Sequence, residues 1–291
     1  MSSYKKGLTA LTILSILYGV VPVFVRYLLV YLSPIQIVYN NLIVALILQV
    51  VIYRKKITLE NLKNFAKTDY LLIFIRSVLY FFFGAITYAY ALTTAKIGIV
   101  ILLQITPFMA FLAVVFFKDK LTTLKTGALF LSTIGLLLIS AQFSLKEIAF
   151  GFGEFLAAVS GLAFSLALIT RRLHSKEADD DLLSLGLVFF GLPVVFISSF
   201  FFGEPVNFFS ESIIAFILVF SLGLVTAVTV FLANYGYSKI NGIIANVIAS
   251  FEPLTAIILG LFLFGETYTS KEIIGGVLII IASFLVLLED G

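Results

Sequence analysis

The sequence predicts an all-α integral membrane protein with ten transmembrane helices, arranged as two inverted five-helix repeats. Three observations indicate this class. Hydrophobic residues make up 61% of the 291 residues, and the mean hydropathy is +1.15, which is more apolar surface than a soluble protein of this size buries. Apolar runs long enough to cross a bilayer, about 20 residues each, recur along the chain. The second half of the chain then repeats a pattern of the first half.

The ten predicted spans are continuous apolar runs. Continuous runs of this length indicate helices, because a strand of a membrane barrel is shorter and alternates in polarity. The first run is too long for a signal peptide and has no clear cleavage site, so we interpret it as a retained helix. The tenth is the shortest, about 16 residues or roughly 24 Å of helix. The runs lie at residues 8–30, 34–53, 70–92, 97–117, 124–141, 149–170, 182–202, 213–233, 242–264 and 273–288.

The basic residues predict which way the chain crosses the membrane. Lys and Arg are enriched in cytoplasmic loops. With the N-terminus inside, fourteen basic residues fall on the cytoplasmic side and three on the other side. We therefore expect a multi-pass protein of the cytoplasmic (inner) membrane with both termini inside. The three are Lys96, Lys146 and Lys271, and the fourteen are Lys5, Lys6, Arg54, Lys55, Lys56, Lys63, Lys67, Lys118, Lys120, Lys125, Arg171, Arg172, Lys176 and Lys239.

The sequence offers little for enzymatic chemistry. It has no cysteine, which excludes thiolate chemistry and cysteine metal sites, and it has no phosphate-binding loop. Its one histidine, His174, lies in a predicted cytoplasmic loop, where we expect it to be solvated. Residues 179–181, three aspartates, precede a helix and suit its positive dipole end rather than a metal. We therefore expect no enzyme, no cofactor and no metal site. We also expect no nucleic-acid partner, since the basic residues lie at helix ends.

An internal repeat relates the two halves, which we place at residues 1–145 and 146–291. A unit of five spans is odd, so the second copy enters the membrane from the opposite side. Inverted repeats of this kind are characteristic of secondary transporters. The matched pairs are Tyr88 with Tyr235 and Tyr90 with Tyr237 at an offset of 147, Pro107 with Pro253 at 146, Asp119 with Glu266 at 147, and Gly127 with Gly275 at 148.

These residues resemble the drug/metabolite transporter superfamily, EamA type. The family pattern has an aromatic-Ala-Leu stretch, a proline within a helix, an acidic residue some twelve positions later and a glycine-containing helix. Its members in the first half are Tyr90-Ala91-Leu92, Pro107, Asp119, Gly127 and Gly135, and in the second half Tyr237, Glu252-Pro253, Gly265-Glu266 and Gly275. The chain departs at Asp119, where Glu is usual, at Tyr18, where Trp is frequent, and at Asn40 or Asn41, where many members carry Arg. The resemblance implies transport of a small molecule but names no substrate.

Glu252 is the main candidate for a binding residue. It lies near the middle of the apolar run 243–264, and a carboxylate at that depth costs about 2.5–3.5 kcal/mol on insertion scales. Either it is a protonated packing residue, or it lines a cavity and binds a proton or a cationic group. The neighbours on its helical face are small, which permits close helix approach and indicates that Glu252 points into the protein.

Other candidates accompany Glu252 on the substrate or proton pathway. Buried amides serve either as links between helices or as cavity lining, and the tyrosines either as interfacial anchors or as ligand contacts. Arg76 either extends to the interface or holds an anion, and for Arg26 we favour the first alternative. Pro107 and Pro253 are either static kinks or a paired hinge. The amides and tyrosines are Asn41, Gln104, Asn246, Tyr18, Tyr88 and Tyr235.

We expect a secondary active transporter that moves a small metabolite, an amino acid or related compound, by alternating access, with export as the expected direction and proton coupling as a hypothesis. The alternatives are an uptake carrier or exchanger for a vitamin or nucleotide-type metabolite, and a member that flips lipids. An intramembrane enzyme lacks a nucleophile with a base, and a channel needs a ring of polar residues. The expected partners are a small-molecule substrate, protons and membrane lipid, for a monomer or homodimer.

Overall fold

The computed structural model describes residues 3–95, 100–101, 103–104, 108–139, 151–175, 177–206, 212–264 and 269–289. Within these ranges the chain is helical with short connections and contains no strand. Residues 100–101 and 103–104 are helical as well. The helices with defined bounds are α1 (Ser3–Leu28), α2 (Pro34–Tyr53), α3 (Leu59–Lys63), α4 (Lys67–Thr94), α5 (Phe108–Phe117), α6 (Thr123–Ile139), α7 (Phe152–Leu173), α8 (Asp180–Phe202), α9 (Ile213–Tyr237), α10 (Gly242–Ala249), α11 (Phe251–Phe264) and α12 (Ser270–Glu289).

Six of these helices, α1, α2, α4, α7, α8 and α9, are long and apolar enough to cross a membrane. They coincide with the first three predicted spans and with the sixth to the eighth. The protein is therefore a multi-pass membrane protein. The tenth predicted run is longer than expected, since α12 covers 20 residues. The fourth predicted span, 97–117, is described only in part.

Several helix ends are fixed by side chains that satisfy the free backbone N–H groups of the first turn. Ser33 caps α2 and forms a capping box with Gln36, at 3.3 Å and 3.1 Å, directly before a proline, which is a strong start signal. Asp179 caps α8 by accepting from the Asp181 amide at 2.8 Å. The expectation that the three aspartates serve a helix N-terminus is thus confirmed for Asp179.

The ninth predicted span, 242–264, is two helices rather than one. α10 ends at Ala249, and α11 begins at Phe251. Pro253 therefore lies in the first turn of α11, where its missing N–H leaves no helix hydrogen bond broken. The same break places Glu252 in that first turn, where the positive end of the helix dipole favours a negative side chain.

α4 contains a π-helical segment, Val78–Ile86. Wider turns of this kind are rare and shift the register of the side chains that follow. The Gly84 carbonyl in this segment accepts a hydrogen bond from Ser160 Oγ of α7 at 3.0 Å. Tyr80 and Phe81, which lie in the segment, are both buried. The sequence carries no signal for this change of helix type.

The helix pairings occur in two matching sets. α1 packs against α9 as α7 packs against α4, and α2 packs against α9 as α8 packs against α4. α6 packs along α12, and α2 packs against α8, so that the two sequence halves are interleaved. α6 and α12 approach closely at Gly135, where a Cβ atom would lie 2.7 Å from the Gly275 carbonyl oxygen. The core of the bundle is therefore built jointly by the two halves.

A central cavity with a buried carboxylate

A cavity of about 130 Å³ lies between α1, α2, α4, α7, α9, α10 and α11, next to residue 104. A space of about 10–15 Å³ already holds one water molecule, so this cavity has room for a small metabolite. Most of its wall is apolar, and its polar side chains come from all seven of these helices and from residue 104. The main polar side chains are Tyr18, Asn41, Tyr80, Tyr88, Gln104, Thr226, Thr229, Tyr237, Asn246 and Glu252.

Glu252 is the acidic residue of this cavity. It is 6% exposed and lies on α11 beside α1. The two helices touch at Gly19, where a Cβ atom would lie 2.5 Å from the Glu252 carbonyl oxygen and 2.5 Å from Thr255 Cβ. Among the described residues, no Lys, Arg or His lines the cavity, and none of their ion pairs includes Glu252. The carboxyl group thus faces the cavity without a basic neighbour in its wall.

Four tyrosines surround the cavity, and two of them are joined. The hydroxyl groups of Tyr18 on α1 and Tyr80 on α4 lie 2.7 Å apart. The Tyr80 ring packs edge-on against Phe81 and Phe164, with ring centroids 4.9 Å and 4.8 Å away. Tyr88 and Tyr237 are also buried. These contacts build an aromatic part of the cavity wall from α1, α4 and α7.

Two amide side chains in the wall have a buried oxygen with no hydrogen-bond partner, Asn41 Oδ1 and Gln104 Oε1. A buried acceptor left unpaired costs about 1–3 kcal/mol. Close helix contacts hold both positions. A Cβ atom on Gly223 would lie 3.0 Å from the Asn41 carbonyl oxygen, and one on Gly161 would lie 2.8 Å from Gln104 Cα. Both oxygens are therefore unpaired acceptors packed inside the bundle, on side chains that line the cavity.

The structure places most of the predicted pathway residues around this cavity. Glu252, Asn41, Gln104, Asn246, Tyr18 and Tyr88 all line it. Tyr235 does not line it. Its ring lies at the end of α9 and makes a cation–π contact with Lys239 Nζ, 3.5 Å from the ring centroid. Arg76 does not line it either. Arg26 is exposed, and Pro107 lies outside the described residues.

Arg76 is instead the centre of a buried polar network. It is 1% exposed, and its guanidinium donates to the Ala167 carbonyl at 2.7 Å, to Asn234 Oδ1 at 2.7 Å and to His174 Nε2 at 3.2 Å. Asn234 Nδ2 in turn donates to Ser184 Oγ at 3.0 Å. Every arm of the arginine is therefore held by protein groups.

The expectation that His174 is solvated is wrong, because its side chain is fully buried in this network. Arginine has no acceptor atom, so His174 Nε2 accepts from Arg76 and Nδ1–H donates to Asp69 Oδ1 at 3.1 Å. Burial, together with the positive charges of Arg76 and Arg171, lowers the pKa of His174 to about 4, against the opposing effect of Asp69. The histidine is neutral at physiological pH.

Ion pairs between distant segments lie at the same end of the bundle. Arg172 donates to Asp119 through Nη1 at 2.8 Å and Nη2 at 3.0 Å, and Asp119 Oδ2 also accepts from the Gly242 amide at 3.1 Å. We call Asp119, Arg172, Asp69, Arg76, His174 and Asn234 the polar seal. Three of its residues come from each half of the sequence. Arg76 lies one helical turn before Tyr80, which places the polar seal beside the cavity, towards the helix ends that carry most basic residues.

Lys56 adds a further link at this end. It pairs with Asp179 at 2.8 Å and also with Asp181. Burial by itself would lower the pKa of Lys56, but the hydrogen bonds to the two aspartates outweigh it and raise that pKa. The aspartates are thus occupied by a lysine, Arg171 and a helix N-terminus rather than free to bind a metal.

The sequence interpretation missed two of the cavity tyrosines. Tyr80 lies in the aromatic run LYFFF, residues 79–83, where nothing distinguishes it from its neighbours. Tyr237 was visible as the partner of Tyr90 in the repeat, yet Tyr90 faces elsewhere, since it stacks on Phe202 and donates to Glu204. The match between repeats therefore marked the position without revealing its role.

Comparison with known proteins supports the resemblance seen in the sequence. A solved structure titled "Crystal structure of protein" superposes on this chain with a TM-score of 0.78 and 13% sequence identity. The match covers 99% of this chain and 98% of the other chain, and it shows the fold. No curated protein matches. The EamA-like transporter family matches twice, over residues 5–141 and 151–288. The chain belongs to the EamA-like transporter family.

Proposed function

We propose that the protein is a secondary active transporter that moves a small metabolite across the membrane by alternating access. The observation that carries the proposal is the central cavity, lined by helices of both sequence halves and containing the buried Glu252. Binding sites at the interface of two repeats, near a broken helix, recur in secondary transporters. Membership of a transporter family agrees with it.

The polar seal supports a state in which the cavity is closed on the side rich in basic residues, which we place in the cytoplasm. Its contacts join the two halves of the sequence: Asp119 to Arg172, Asp69 to His174 and Arg76 to Asn234. Opening this side requires these contacts to separate. Alternating access then consists of breaking the polar seal while the opposite ends of the helices close.

The inverted repeat supplies the second conformation. If the second half has the opposite polarity, exchanging the conformations of the two halves turns an outward-open cavity into an inward-open one. The break between α10 and α11 at Ser250 provides a point of bending beside Glu252. We assign the hinge in this half to Pro253 and the corresponding hinge in the first half to Pro107.

Glu252 is the residue through which we propose proton coupling. One charge moving through a potential of 100 mV yields about 2.3 kcal/mol, and at 1.4 kcal/mol per factor of ten this supports a gradient of roughly forty-fold. The charged and titratable groups that face it are Tyr18 from α1, Tyr80 and Tyr88 from α4, and Tyr237 from α9, with Arg76 beyond Tyr80. An inward proton flux through an exchanger drives export, which is the direction we propose.

Thiol accessibility tests alternating access directly, because the chain contains no cysteine. Ser15→Cys places a thiol in the cavity, and Ser199→Cys places one at a buried position of α8 that does not line it. An impermeant thiol reagent is applied from either side of oriented membrane vesicles. We expect the cavity thiol to react from both sides, at rates that change in opposite directions when substrate is added.

The control thiol at position 199 is expected to react from neither side. A cavity thiol that reacts from one side only, whatever ligand or gradient is present, contradicts alternating access. Equal reaction from both sides at all times, with no effect of ligand, indicates a continuous pore instead.

A further inference from the structure

We propose that the cavity binds an amine cation, a protonated primary or secondary amine carried on an apolar or aromatic body without a carboxylate. This inference rests on the proposed transport function and narrows its substrate class. Glu252 pairs with the ammonium group, and the four tyrosines of the cavity enclose the body of the ligand.

The charge of the wall supports a cation. Glu252 is 6% exposed, and an ionised carboxylate in such surroundings needs a positive partner. Among the described residues that line the cavity, none is basic. Arg76, the basic residue next to Tyr80, is fully engaged by Ala167, Asn234 and His174. Apart from the positive end of the α11 dipole, the described residues of the wall supply no counter-charge, which leaves a proton or the ligand to provide it.

The hydrogen-bonding groups agree with that charge. The unpaired buried atoms in the wall, Asn41 Oδ1 and Gln104 Oε1, are both acceptors. An ammonium group has up to three donors and no acceptor, so it suits a site with a carboxylate and with amide side chains whose unpaired atoms are acceptors. A ligand carboxylate has the opposite requirement. It would find only amide and hydroxyl donors among these lining residues, and it would lie in the same cavity as Glu252.

The aromatic residues define the rest of the ligand. Tyr18, Tyr80, Tyr88 and Tyr237 line the cavity together with Phe81 and Phe164. Aromatic faces attract cations, most strongly where water is excluded, and their edges pack on apolar groups. The edge-on contacts of Tyr80 with both phenylalanines keep this wall in place without a ligand. A volume of about 130 Å³ has room for a ring with a short side chain.

Three ligands that share one body test the proposal. Phenethylamine is a cation, phenylalanine adds a carboxylate, and 2-phenylethanol is neutral. Equilibrium binding of radiolabelled phenethylamine to the purified full-length protein is measured, with the other two as competitors. We expect phenethylamine to bind about 10- to 100-fold more tightly than either competitor, the range that one hydrogen-bonded charge pair provides.

Glu252→Gln keeps the shape of the side chain and removes the charge, so we expect the same loss of phenethylamine affinity in this variant. Glu204→Gln is the matched control, because Glu204 is a partly buried glutamate outside the cavity and its amide form still accepts from Tyr90. It is expected to bind phenethylamine as the unchanged protein does. Circular dichroism and size-exclusion profiles establish that both variants are folded.

The outcomes separate this inference from the transport proposal. Phenylalanine binding as tightly as phenethylamine, no binding of the amine, or unchanged amine affinity in Glu252→Gln each overturns the amine class. Counterflow in liposomes is then measured with whichever ligand binds. Binding of the amine without counterflow leaves the amine class in place and contradicts the carrier. Counterflow of phenylalanine but not of phenethylamine supports the carrier and contradicts the amine class.

Discussion

If the protein works by the proposed alternating access, replacing Asp119 with alanine is expected to open the cavity towards the polar seal. Asp119 accepts two hydrogen bonds from Arg172 and one from the Gly242 amide, and its side chain is 5% exposed against 27% for Arg172. Loss of the hydrogen-bonded charge pair costs about 1.5–3 kcal/mol. Loss of the bond to the start of α10 costs about 1 kcal/mol.

Under the proposed alternating access these costs fall on the closed conformation alone, because the two halves separate at this contact in the open one. Together they amount to about 2.5–4 kcal/mol, which shifts the equilibrium between closed and open forms by roughly 60- to 700-fold at 1.4 kcal/mol per factor of ten. Asp119→Asn retains an oxygen that accepts one of these bonds but loses the charge. We expect its effect to lie between that of the unchanged protein and that of Asp119→Ala.

The assay is the rate at which the cavity thiol of Ser15→Cys reacts with an impermeant reagent from the side of the polar seal. The rate is expected to rise in the order unchanged, Asp119→Asn, Asp119→Ala. Arg172→Ala, added to Asp119→Ala, should change the rate little beyond Asp119→Ala alone, because Asp119→Ala already removes the contact with Arg172. A folded Asp119→Ala protein whose thiol reacts at the unchanged rate refutes the reasoning and limits this contact to a structural role.

Three further predictions concern single positions. In Glu252→Gln, transport driven by an imposed pH gradient in liposomes is expected to lose its pH dependence, while the residual flux at high substrate concentration remains. Gly19→Ala is expected to lower stability by about 1–3 kcal/mol in thermal unfolding, because the new methyl group would force α1 and α11 apart. Gly127→Ala is the opposite case. No atom lies within 4 Å of its new Cβ atom, so we expect stability to rise by up to about 1 kcal/mol. The pKa of His174 is about 4 in the folded protein and 6.5 in the unfolded chain. As pH falls from 6.5 to 4, the unfolded chain therefore takes up a proton that the folded protein does not, and we expect the free energy of unfolding to fall by up to about 3 kcal/mol. His174→Gln should flatten this part of the pH profile.

Each of these has a result that contradicts it. Unchanged pH dependence in Glu252→Gln removes this residue from coupling. Equal unfolding temperatures for the Gly19→Ala and Gly127→Ala variants would contradict the second, because they would mean that α1 and α11 accommodate the added methyl group without loss of stability. An acid profile of His174→Gln that matches the unchanged protein over this window would place the acid sensitivity on another group.

The sequence by itself determined the class of the protein and the location of its long helices. Apolar runs of about 20 residues leave the chain no stable alternative in lipid to helices, since every backbone polar group must be paired within the segment. The spans at 34–53, 182–202 and 213–233 accordingly appear as α2, α8 and α9. The acidic residues before α8 were also interpreted correctly at Asp179, because a helix cap acts within one turn. The charge of Glu252 in an apolar run was enough to select it as a candidate.

Only the tertiary structure decided which side chains meet. The sequence treated Arg76, Tyr235 and Tyr88 alike as pathway candidates, and it assigned His174 to solvent. Packing brought Tyr88 to the cavity, left Tyr235 at a helix end and buried His174 beneath Arg76. The partners of Arg76 lie 91, 98 and 158 residues away along the chain, and the π-helical turn of α4 set the direction of Tyr80. Local sequence fixes what each segment is able to form, whereas contacts between segments so far apart depend on helix register and crossing, which no local pattern encodes.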